Sequence, residues 1–432
     1  MERIVIRGGR PLKGTLAVNG AKNAALPIIA ASLLTRGTTV LHRVPRLADV
    51  NTICSILRGL GVEVEWSGPH TLRLTPAPTG PTVPEPEPVR RMRGSVCVLG
   101  PLLATRGRAG LPLPGGCVIG PRPIDLHLKG LSALGAEFNT EAACVRGRTD
   151  GLRGTAVDLC GPRGSTVLGT ANVMMAACLA EGRTVIRTAA REPEVQDLAA
   201  YLKRCGARIR GVGTGTLTID GVDELRGCEH ELIPDRIEAG TWMVAAAVTR
   251  GELRLTGVRH EHLTAVTGAL ERTGAELRRE GDALTVRASR PPLPTKLVTR
   301  PYPGLPTDMQ PQLTALLCLA AGTGRIDERV YPQRLTHVPY LRRMGARIST
   351  DGPTLKIEGG SGLTGAPVTA EDLRAGAALV LAGLAAEGTT LVAGLDQIDR
   401  GYEGLERRLR SVGAAIWRED AGAADAGERK TA

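Results

Sequence analysis

Apolar and polar positions follow one repeating order along this chain. An Ala-rich apolar segment, which predicts a buried helix, leads through a turn into a β-branched run, and a more polar helical segment then ends at a glycine before another strand. The order returns around "LRGLGVEVEW", "LSALGAEF", "LKRCGARIR", "LERTGAEL", "LRRMGARI" and "LRSVGAAI". We expect the shared glycines to end their helices in the left-handed backbone conformation, at Gly61, Gly135, Gly206, Gly274, Gly345 and Gly413.

The spacing of these glycines, 68 to 74 residues, suits a small α/β unit and is too long for a solenoid repeat. The copies group as three and three; the copy around Gly135 is the least regular, and the segment 230–242 opens the second group. Residues 1–21 predict two short strands that fall outside the first group. The pattern alone leaves open whether these strands pair with the second group.

The composition fits a folded chain with more than one core. Hydrophobic residues make up 42% of the 432 residues, no apolar run reaches the roughly 18 residues of a membrane span, and the first residues lack the apolar stretch of a signal peptide. We therefore expect a cytoplasmic protein. Nine cysteines without a CxxC pair favour reduced, mostly inert core thiols over disulfides or a zinc site. The Pro-rich stretch 76–88 predicts an exposed loop, and the tail 419–432 predicts disorder.

The net charge of +11 raises nucleic acid as a partner, but the sequence does not favour it. The arginines are spread along the chain, and one Phe, three Trp and five Tyr leave few rings for base stacking. A smaller anion, such as a phosphate, a carboxylate or a nucleotide, accounts for a diffuse positive field equally well.

Charged residues stand at several predicted helix starts. Lys22 and Asn23 come where the apolar segment "AALPIIAASLL" begins. A cation at a helix N-terminus is unfavourable because the helix dipole is positive there, unless a bound anion lies between the cation and the helix. Arg374 and Arg400 precede or begin helices in the same way. Together these residues predict a clamp for an anion, with solvated side chains as the plain alternative.

Two further positions carry side chains suited to proton transfer. Asp308 comes directly before the helical segment "MQPQLTALL", where it is either an N-cap or a general base. The segment "LPGGCVIGPRPIDLH" places Cys117 behind two glycines and Arg122 between two prolines. Because a thiol near arginines has a lowered pKa and is reactive, this segment predicts chemistry rather than a structural role.

Several stretches of the sequence resemble one enzyme family. They are "GAKNAALP", "PGGCVIGPRPIDLH", "REPEVQDLAAYL", "IPDRIEAGTWMVAAA", "PTDMQPQ", "DLRAGAALVLAG" and "IDRGYEGLERRLRSVGA". They are similar to the motifs of the UDP-N-acetylglucosamine enolpyruvyl transferases of peptidoglycan synthesis, relatives of the enolpyruvyl shikimate phosphate synthases, and the similarity runs from residue 1 to residue 418. The resemblance implies an α/β fold, a two-domain inside-out α/β barrel of six βαβαββ repeats. It also implies domains at 22–229 and at 1–21 plus 230–418, with the active site in the cleft.

The resemblance implies enolpyruvyl transfer from phosphoenolpyruvate without a cofactor or metal. The methylene carbon of the enol is protonated, an acceptor hydroxyl adds to the neighbouring carbon, and phosphate leaves to give an enol ether. In this resemblance Cys117 is the acid and Asp308 faces the acceptor hydroxyl. The residues assigned to the anionic groups are Lys22, Arg122 and Arg400 for the phosphate, Arg93 and Arg374 as further ligands, and Arg334 and Asp372 as their supports. The remaining substrate-binding assignments are Asn23, Pro123, Ile124, Asp125, Leu126, Leu168, Gly169 and Val330, with the 122–126 stretch placed against a uracil ring.

The sequence departs from the family pattern on the sugar and diphosphate side. "TVLGTAN" puts Val167 where the family has a serine, and "VYPQRL" puts Pro332 and Gln333 in place of a charged and an amide residue. Ala48 replaces a lysine, and Gln397 replaces a histidine. We therefore expect a uridine nucleotide acceptor, with UDP-N-acetylglucosamine first and UMP, as in nucleoside antibiotic pathways, second. A catalytically dead nucleotide-binding regulator is a third interpretation, and the complete catalytic set argues against it. The oligomeric state stays open.

Overall fold

The computed structural model describes residues 2–113, 123–141 and 143–420. Its first two strands, β1 (Glu2–Arg7) and β2 (Lys13–Ala17), confirm the two short strands predicted at the N-terminus. Both pair with strands from much later in the chain: β1 lies between Thr389–Ala393 and Ala415–Asp420, and β2 is parallel to Glu252–Thr256. The N-terminal strands therefore belong to the sheets of the C-terminal part, which the pattern alone had left open.

The described residues divide into two compact units, and the chain crosses between them at Asn19/Gly20 and at Ile233/Pro234. We call residues 20–113, 123–141 and 143–233 the first domain, and residues 2–19 and 234–420 the second domain. The sequence had placed the two limits at 21/22 and 229/230. The two domains are described separately below.

In the first domain the strands are β3 (Thr35–Arg36), β4 (Thr39–His42), β5 (Val62–Trp66), β6 (Leu72–Pro76), β7 (Arg108–Pro112), β8 (Glu137–Glu141), β9 (Cys144–Arg148), β10 (Ala156–Asp158), β11 (Arg183–Arg187), β12 (Arg208–Arg210), β13 (Thr216–Asp220), β14 (Leu225–Arg226) and β15 (Glu229–Glu231). The helices are α1 (Lys22–Ala31), α2 (Ala48–Gly59), α3 (Pro86–Arg91), α4 (Leu99–Arg106), α5 (Asp125–Ala133), α6 (Val167–Ala177) and α7 (Pro193–Arg204), with short 3-10 turns at Ser32–Leu34 and Arg93–Val98. The sheets are β15-β4-β6-β5, β7-β9-β8 and β10-β11-β13-β12, with the small pair β14-β3.

In the second domain the later strands are β16 (Glu252–Thr256), β17 (Glu276–Glu280), β18 (Ala283–Arg287), β19 (Lys296–Val298), β20 (Thr323–Asp327), β21 (Arg347–Asp351), β22 (Thr354–Glu358), β23 (Pro367–Thr369), β24 (Thr389–Ala393) and β25 (Ala415–Asp420). The helices are α8 (Arg236–Val248), α9 (His260–Arg272), α10 (Gln310–Leu317), α11 (Val338–Arg343), α12 (Leu373–Ala385), α13 (Leu395–Ile398) and α14 (Leu405–Ser411), with a 3-10 turn at Thr307–Met309. The sheets are β17-β18-β16-β2, β19-β20-β22-β21 and β23-β24-β1-β25.

The burial of each element explains the layering. Helices α1, α6, α8, α10 and α12 are buried on nearly all sides, because their sequences consist mostly of apolar and small residues. Strands such as β13 and β20 alternate exposed and buried residues, so each sheet turns one face to the helices and the other to solvent. Apolar helices in the middle and sheets outside give the inside-out arrangement that the sequence predicted.

The six recurring glycines all adopt the conformation predicted for them. Their φ angles run from 84° at Gly61 to 110° at Gly206, in the left-handed region that costs a glycine little. Each follows an amphipathic helix and lets the chain turn into the next strand. The copy around Gly135, the least regular in sequence, belongs to the three-stranded sheet β7-β9-β8, whereas the other copies lie in four-stranded sheets.

Two expectations about exposed segments need correction. The predicted disordered tail starts too early, because Glu419 and Asp420 lie in β25 opposite Arg3 and Glu2, and Arg3 Nε donates to Glu419 Oε1 at 2.8 Å. Residues 421–432 lie outside the described residues. The Pro-rich stretch 76–88 is mostly exposed, but Pro86 already begins α3, because the first turn of a helix needs no amide hydrogen from its proline.

Four of the eight thiols in the described ranges are inert, as predicted for core cysteines. Burial raises the pKa of Cys54, Cys97, Cys178 and Cys318 to about 12 in each case. These four therefore stay protonated and pack as small apolar groups. The cysteines of the described ranges are free thiols, with none joined in a disulfide.

Candidate active site

Asp308 is held between two arginines in the second domain. It belongs to the 3-10 turn Thr307–Met309 before α10, and its carboxylate caps neither that turn nor the helix. Arg334 Nη1 donates to Oδ1 at 2.7 Å, and Arg374 Nη2 donates to Oδ2 at 2.9 Å. The N-cap alternative for Asp308 is therefore wrong, and its carboxylate is the shared partner of two cations.

The electrostatics of this cluster keep the carboxylate ionised. The Asp308 side chain is 22% exposed, whereas those of Arg334 and Arg374 are 6% and 4% exposed. Burial raises the pKa of Asp308, but Arg374 and Arg334 outweigh that effect and hold the pKa well below 3.8. The cluster thus presents a charged oxygen acceptor that is partly open, on two buried cations.

Asp372 fixes the start of the helix that carries Arg374. Its carboxylate caps α12 by accepting from Arg374 N at 2.8 Å and from Ala375 N at 3.1 Å, and the Thr336 hydroxyl donates to its other oxygen. Such a cap fixes the first helical turn and satisfies amide groups that have no partner inside the helix. The structure therefore gives Asp372 a supporting role toward Arg374.

Tyr402 contacts Arg374, the arginine that also binds Asp308. Its hydroxyl accepts from Arg374 Nη1 at 3.2 Å and lies 2.9 Å from Thr241 Oγ1 and 3.3 Å from Gln312 Nε2. Burial raises the pKa of Tyr402, so the phenol stays neutral. Both terminal nitrogens of the Arg374 guanidinium, Nη1 and Nη2, thus donate within the protein. The structure pairs Arg374 with Asp308, and its assignment to a substrate anion stays a prediction.

Arg400 lies in the turn after α13, two residues before Tyr402. Its Nη1 donates to Gln397 Oε1 at 3.1 Å, and Gln397 Nε2 in turn donates to Asp396 at 2.9 Å. A Cβ on Gly376 of α12 would lie 2.6 Å from the Ile398 side chain, so this glycine lets α13 approach α12 closely. The turn carrying Arg400 is therefore packed beside the helix carrying Arg374.

Val330 follows β20 and is half-buried. Its backbone amide and that of Tyr331 each donate to Glu328 Oε1 at 2.8 Å. Arg334 N donates to Tyr331 O at 2.9 Å, and the Arg334 guanidinium lies 5.3 Å from the Tyr331 ring. Pro332 thus sits in a tight turn whose backbone holds Val330 and Arg334 on either side.

In the first domain, Lys22 is the first residue of α1, as the sequence predicted, and it is buried. Its Nζ lies 2.7 Å from Asp49 Oδ2 in the first turn of α2. Asn23 follows it and is half-buried. The ammonium group at this helix N-terminus, where the dipole disfavours a cation, is therefore balanced by a carboxylate of the protein.

Arg93 and the start of α5 are linked directly. Arg93 Nη2 donates to Pro123 O at 2.9 Å, and Ile124 precedes Asp125 and Leu126, the first residues of α5. The 3-10 turn that Arg93 begins contacts α1, the helix of Lys22. Three of the predicted features of this domain, the Lys22 helix, Arg93 and the 123–126 stretch, are thereby neighbours.

Asn172 joins these elements from the core. Its Nδ2 donates to Val96 O at 2.9 Å and lies 2.8 Å from His127 Nδ1, while its Oδ1 accepts from Gly100 N at 2.9 Å. Burial and the charge of Arg93 lower the pKa of His127 to about 3, so the ring is neutral and its Nδ1 is an acceptor. Asn172 therefore holds α5 and the 3-10 turn of Arg93 on α6.

Leu168 and Gly169 lie in the first turn of α6. The N-cap is Thr166, whose hydroxyl accepts from Gly169 N at 3.2 Å. Val167, which stands where the family was expected to have a serine, is the first helical residue. The residue before it, Thr166, carries a hydroxyl. A helix N-terminus suits an anion, and the Gly169 amide at this one is already taken by the Thr166 hydroxyl.

The outcome differs among the sequence-predicted residues. The structure brings Asp308, Arg334, Arg374 and Asp372 together in one domain, and the Lys22 helix, Arg93 and the 123–126 stretch together in the other. Cys117 and Arg122 lie outside the described residues, so their assignments stay predictions. The sequence analysis missed four participants, namely Asp49, Thr166, Glu328 and Tyr402. Only Thr166 had a readable feature, since a Thr directly before an apolar helix is a common N-cap.

Comparison with known proteins decides the family. A family model described as EPSP synthase (3-phosphoshikimate 1-carboxyvinyltransferase) matches residues 6–409. A relative from Methylacidiphilum infernorum named UDP-N-acetylglucosamine 1-carboxyvinyltransferase is 50% identical, over 97% of this chain and 99% of its own. The chain belongs to the enolpyruvyl (1-carboxyvinyl) transferase family. A Myxococcus xanthus enolpyruvyl transferase with the same name is 48% identical, over 98% of this chain and all of its own.

Solved structures of enolpyruvyl transferases share the fold. The enolpyruvyl transferase NikO from Streptomyces tendae matches with a TM-score of 0.87 at 25% identity, covering 97% of this chain and 99% of that chain. An EPSP synthase from Acinetobacter baumannii matches with a TM-score of 0.74 at 19% identity. The predicted fold class is thereby confirmed. In the described part of this enolpyruvyl transferase, no helix combines the length and hydrophobicity needed to cross a bilayer.

Proposed function

We propose that this enolpyruvyl transferase moves the enolpyruvyl group of phosphoenolpyruvate to the 3-hydroxyl of UDP-N-acetylglucosamine and releases phosphate. The observation that carries the proposal is the ionised carboxylate of Asp308, clamped by Arg334 and Arg374, in a chain 50% identical to a UDP-N-acetylglucosamine 1-carboxyvinyltransferase. A partly open carboxylate on two fixed cations suits the removal of a proton from an acceptor hydroxyl.

The reaction balances without a cofactor. A proton is added to the methylene carbon of phosphoenolpyruvate, and the acceptor oxygen bonds to the neighbouring carbon as its own proton passes to a base. Loss of phosphate and of one methyl proton then restores the double bond. In this scheme Asp308 is the base, and Cys117 supplies the proton to the methylene carbon.

A base whose pKa lies far below neutral is weak in the ground state but always ionised. The pKa of Asp308 is held well below 3.8, so its carboxylate is available at every physiological pH. The acceptor hydroxyl becomes acidic only as its oxygen bonds to the enol carbon, and a weak base is sufficient at that point. The neighbouring arginines then stabilise the redistributed charge.

The anionic substrate groups are assigned to the cations at the helix starts. Lys22, Arg122 and Arg400 bind the phosphate of phosphoenolpyruvate, with Arg93 as a further ligand. Asp49, at 2.7 Å, fixes the position of the buried Lys22 ammonium group. Binding of the substrate phosphate therefore requires little further ordering of this side chain.

The acceptor nucleotide is assigned to the first domain. The stretch 123–126 receives the uracil ring, and the start of α6, at Leu168 and Gly169, lies against the diphosphate. Gly169 N already donates to the Thr166 hydroxyl at 3.2 Å, so the donors assigned to the diphosphate are the Leu168 amide and the hydroxyl hydrogen of Thr166. The same residues also suit the phosphate of UMP, which is the alternative acceptor.

Parallel turnover assays separate the acceptors. The protein is incubated with phosphoenolpyruvate and either UDP-N-acetylglucosamine, UMP or an adenine analogue, and phosphate release and product mass are measured. We expect only UDP-N-acetylglucosamine to gain an enolpyruvyl group in place of a hydroxyl hydrogen. Turnover of UMP alone contradicts the acceptor, and turnover of no uridine nucleotide contradicts the function. We place the enzyme in the cytoplasm, where both substrates and reduced thiols are found.

A further inference from the structure

Glu328 is a buried carboxylate that the proposed reaction does not use. It follows β20 directly and its side chain has no exposure to solvent. Its carboxylate accepts four hydrogen bonds, from Thr299 Oγ1 at 2.8 Å, Thr307 Oγ1 at 2.9 Å, Val330 N at 2.8 Å and Tyr331 N at 2.8 Å. An ionised carboxylate accepts at both oxygens and donates nothing, so four donors match its chemistry.

The Thr307 hydroxyl transmits this arrangement to Asp308. Because the hydroxyl gives its only hydrogen to Glu328, its lone pairs face the other way, and Arg334 Nη1 donates to them at 3.1 Å. The same Nη1 donates to Asp308 Oδ1 at 2.7 Å. A continuous series of hydrogen bonds therefore runs from Glu328 through Thr307 and Arg334 to Asp308.

We propose that Glu328 is a positioning residue for the proton-accepting carboxylate. From one buried point it sets the direction of the Thr307 hydroxyl, and hence the alignment of Arg334 with Asp308. Through the Val330 and Tyr331 amides it also fixes the backbone next to that pair. The proposal rests on the proposed function, in which Asp308 takes the proton of the acceptor hydroxyl.

Glu328→Gln tests the series without changing the shape of the side chain. The amide oxygen can keep the three donors on Oε1, but the amide nitrogen then donates to Thr307 and reverses that hydrogen bond. We expect kcat to fall at least about tenfold, which corresponds to one hydrogen bond to a charged group. Arg334 no longer aligns with Asp308, so the pKa of Asp308 rises and the acidic limb of the kcat/KM profile moves to higher pH.

Thr307 and Asp327 provide the matched variants. Thr307→Val removes the relaying hydroxyl and is expected to reproduce both effects, while Thr307→Ser keeps the hydroxyl and is expected to restore them. Asp327→Asn changes the neighbouring carboxylate, which pairs with Arg325 and Thr354 at 2.9 Å and 2.8 Å and not with this series. We expect wild-type kcat and an unshifted pH profile for Asp327→Asn.

The outcomes separate this proposal from the proposed function. Absence of phosphate release by the wild type contradicts the function itself. The pKa of the Asp308 carboxyl, measured by NMR in the wild type and in Glu328→Gln, needs no turnover and tests the positioning alone. An unchanged Asp308 pKa, or a variant that is less heat-stable but keeps kcat and its pH profile, overturns the positioning role.

A separate observation concerns two thiols of the first domain. Cys205 ends α7 and Cys228 precedes β15, and their Sγ atoms lie 3.1 Å apart. Arg226 N donates to Cys205 O at 2.9 Å, so the two backbone segments are also tied together. Cys205 is 3% exposed and Cys228 is half-buried, so Cys228 is the more exposed residue of the pair.

The pair differs chemically from the inert core thiols. The hydrogen bond from Cys205 lowers the pKa of Cys228, burial opposes this, and Arg204 lowers it further. The pKa of Cys205 is raised because its proton is held by that same hydrogen bond. Cys228 is thus the thiolate former and Cys205 the thiol that faces it.

We infer that Cys205 and Cys228 form a reversible disulfide when the protein meets a peroxide. The Cys228 thiolate attacks one peroxide oxygen and takes it up as sulfenic acid, and the other oxygen leaves as water after protonation. The Cys205 sulfur then bonds to Cys228, and the sulfenic oxygen leaves as a second water with the Cys205 proton. The two sulfurs lose two electrons in all, and these reduce the peroxide.

Peptide mapping tests this inference independently of activity. The full chain is treated with hydrogen peroxide, blocked with iodoacetamide and digested with trypsin, which releases Cys205 in the peptide 205–208 and Cys228 in the peptide 227–236. We expect a joined peptide lighter than the sum by two hydrogens, which dithiothreitol separates. Cys205→Ser and Cys228→Ser should each abolish it, and the exposed Cys160 should give no joined peptide. Recovery of both peptides unjoined, alkylated or over-oxidised, overturns the inference.

Discussion

Lys22 Nζ lies 2.7 Å from Asp49 Oδ2, and the two side chains are only 9% and 4% exposed. A buried ion pair of this kind contributes little net stability, but removal of one partner leaves an uncompensated charge. Lys22 balances Asp49 in the structure, and its proposed second role, binding a substrate anion, can be tested separately.

Lys22→Met is expected to abolish phosphate release and to lower the free energy of unfolding by about 3 to 5 kcal/mol, since Asp49 is left buried without its partner. Lys22→Met combined with Asp49→Leu replaces the pair by apolar groups and should recover most of that stability without recovering activity. Urea unfolding and a phosphate assay measure the two effects. Recovery of turnover in the double variant would show that Lys22 has no role in binding substrate.

Arg374→Gln should make activity sensitive to acid. Burial alone raises the pKa of Asp308 and the arginines lower it, so loss of one arginine raises that pKa. The base is then protonated, and kcat/KM falls, at a higher pH than in the wild type. Profiles recorded from about pH 4 to pH 9 measure this shift. Arg325→Gln, which removes an exposed arginine on β20, is the control and should leave the profile unchanged.

Thr166→Val tests the start of α6 as a diphosphate site. Loss of the hydroxyl should weaken UDP-N-acetylglucosamine binding by about tenfold, as expected for one lost polar contact, and weaken uridine binding much less. Thr166→Ser keeps the hydroxyl and should bind as the wild type does. Calorimetric titration with both ligands gives the comparison. Equal losses for uridine and the sugar nucleotide would instead indicate general damage to the helix cap.

Cys117 can be tested although it lies outside the described residues. Cys117→Ala should lose most turnover, while Cys117→Asp, which keeps an acidic proton, should retain part of it. The epoxide fosfomycin should alkylate the wild-type thiol, seen as a mass increase on the peptide that contains Cys117. Equal turnover of Cys117→Ala and the wild type across the pH range would end the assignment as an acid.

Glu238 makes stability depend on pH. Asn19 N donates to its carboxylate at 2.7 Å and Arg408 also donates to it, yet burial raises the pKa of Glu238 from 4.5 to about 7. Between pH 4.5 and about pH 7 the folded protein keeps a proton on Glu238 that the unfolded chain has released. The free energy of unfolding therefore falls as pH rises through this range, by at most about 1.4 kcal/mol per pH unit.

Melting temperatures between about pH 5 and pH 8 measure this dependence on Glu238. Glu238→Gln has no proton to lose and should melt with a flatter pH dependence than the wild type. Glu280→Gln removes a half-buried carboxylate that pairs with Arg278 and serves as the control. A pH dependence that is the same in all three proteins would rule out Glu238 as its source.

Features that depend on near neighbours in sequence could be predicted. The glycines at the ends of the amphipathic helices and the start of α1 at Lys22 follow from apolar periodicity and local backbone preference. The N-terminal strands were predicted for the same reason. The pattern did not give their sheet partners, which lie hundreds of residues away, and only the family resemblance placed residues 1–21 with the second group.

Features that depend on distant side chains could not be predicted from pattern. Arg374 and Asp308 are separated by 66 residues, and nothing local indicates that the arginine holds a protein carboxylate. The sequence analysis treated Val167 as the loss of a hydroxyl at the start of α6, whereas the N-cap Thr166, one residue earlier, carries a hydroxyl there. Glu328 stands among charged residues in "RIDERV" and is distinguished from them only by burial.

The central position of β1 between β24 and β25 sets an order for synthesis. The sheet needs the first strand of the chain and the last one, so it cannot be completed until residue 420 has left the ribosome. The described residues of the first domain, by contrast, all lie between Gly20 and Ile233, and their strands leave the ribosome well before β24 and β25. During translation β1 therefore stays without its two neighbouring strands until the first domain and most of the second have been synthesised.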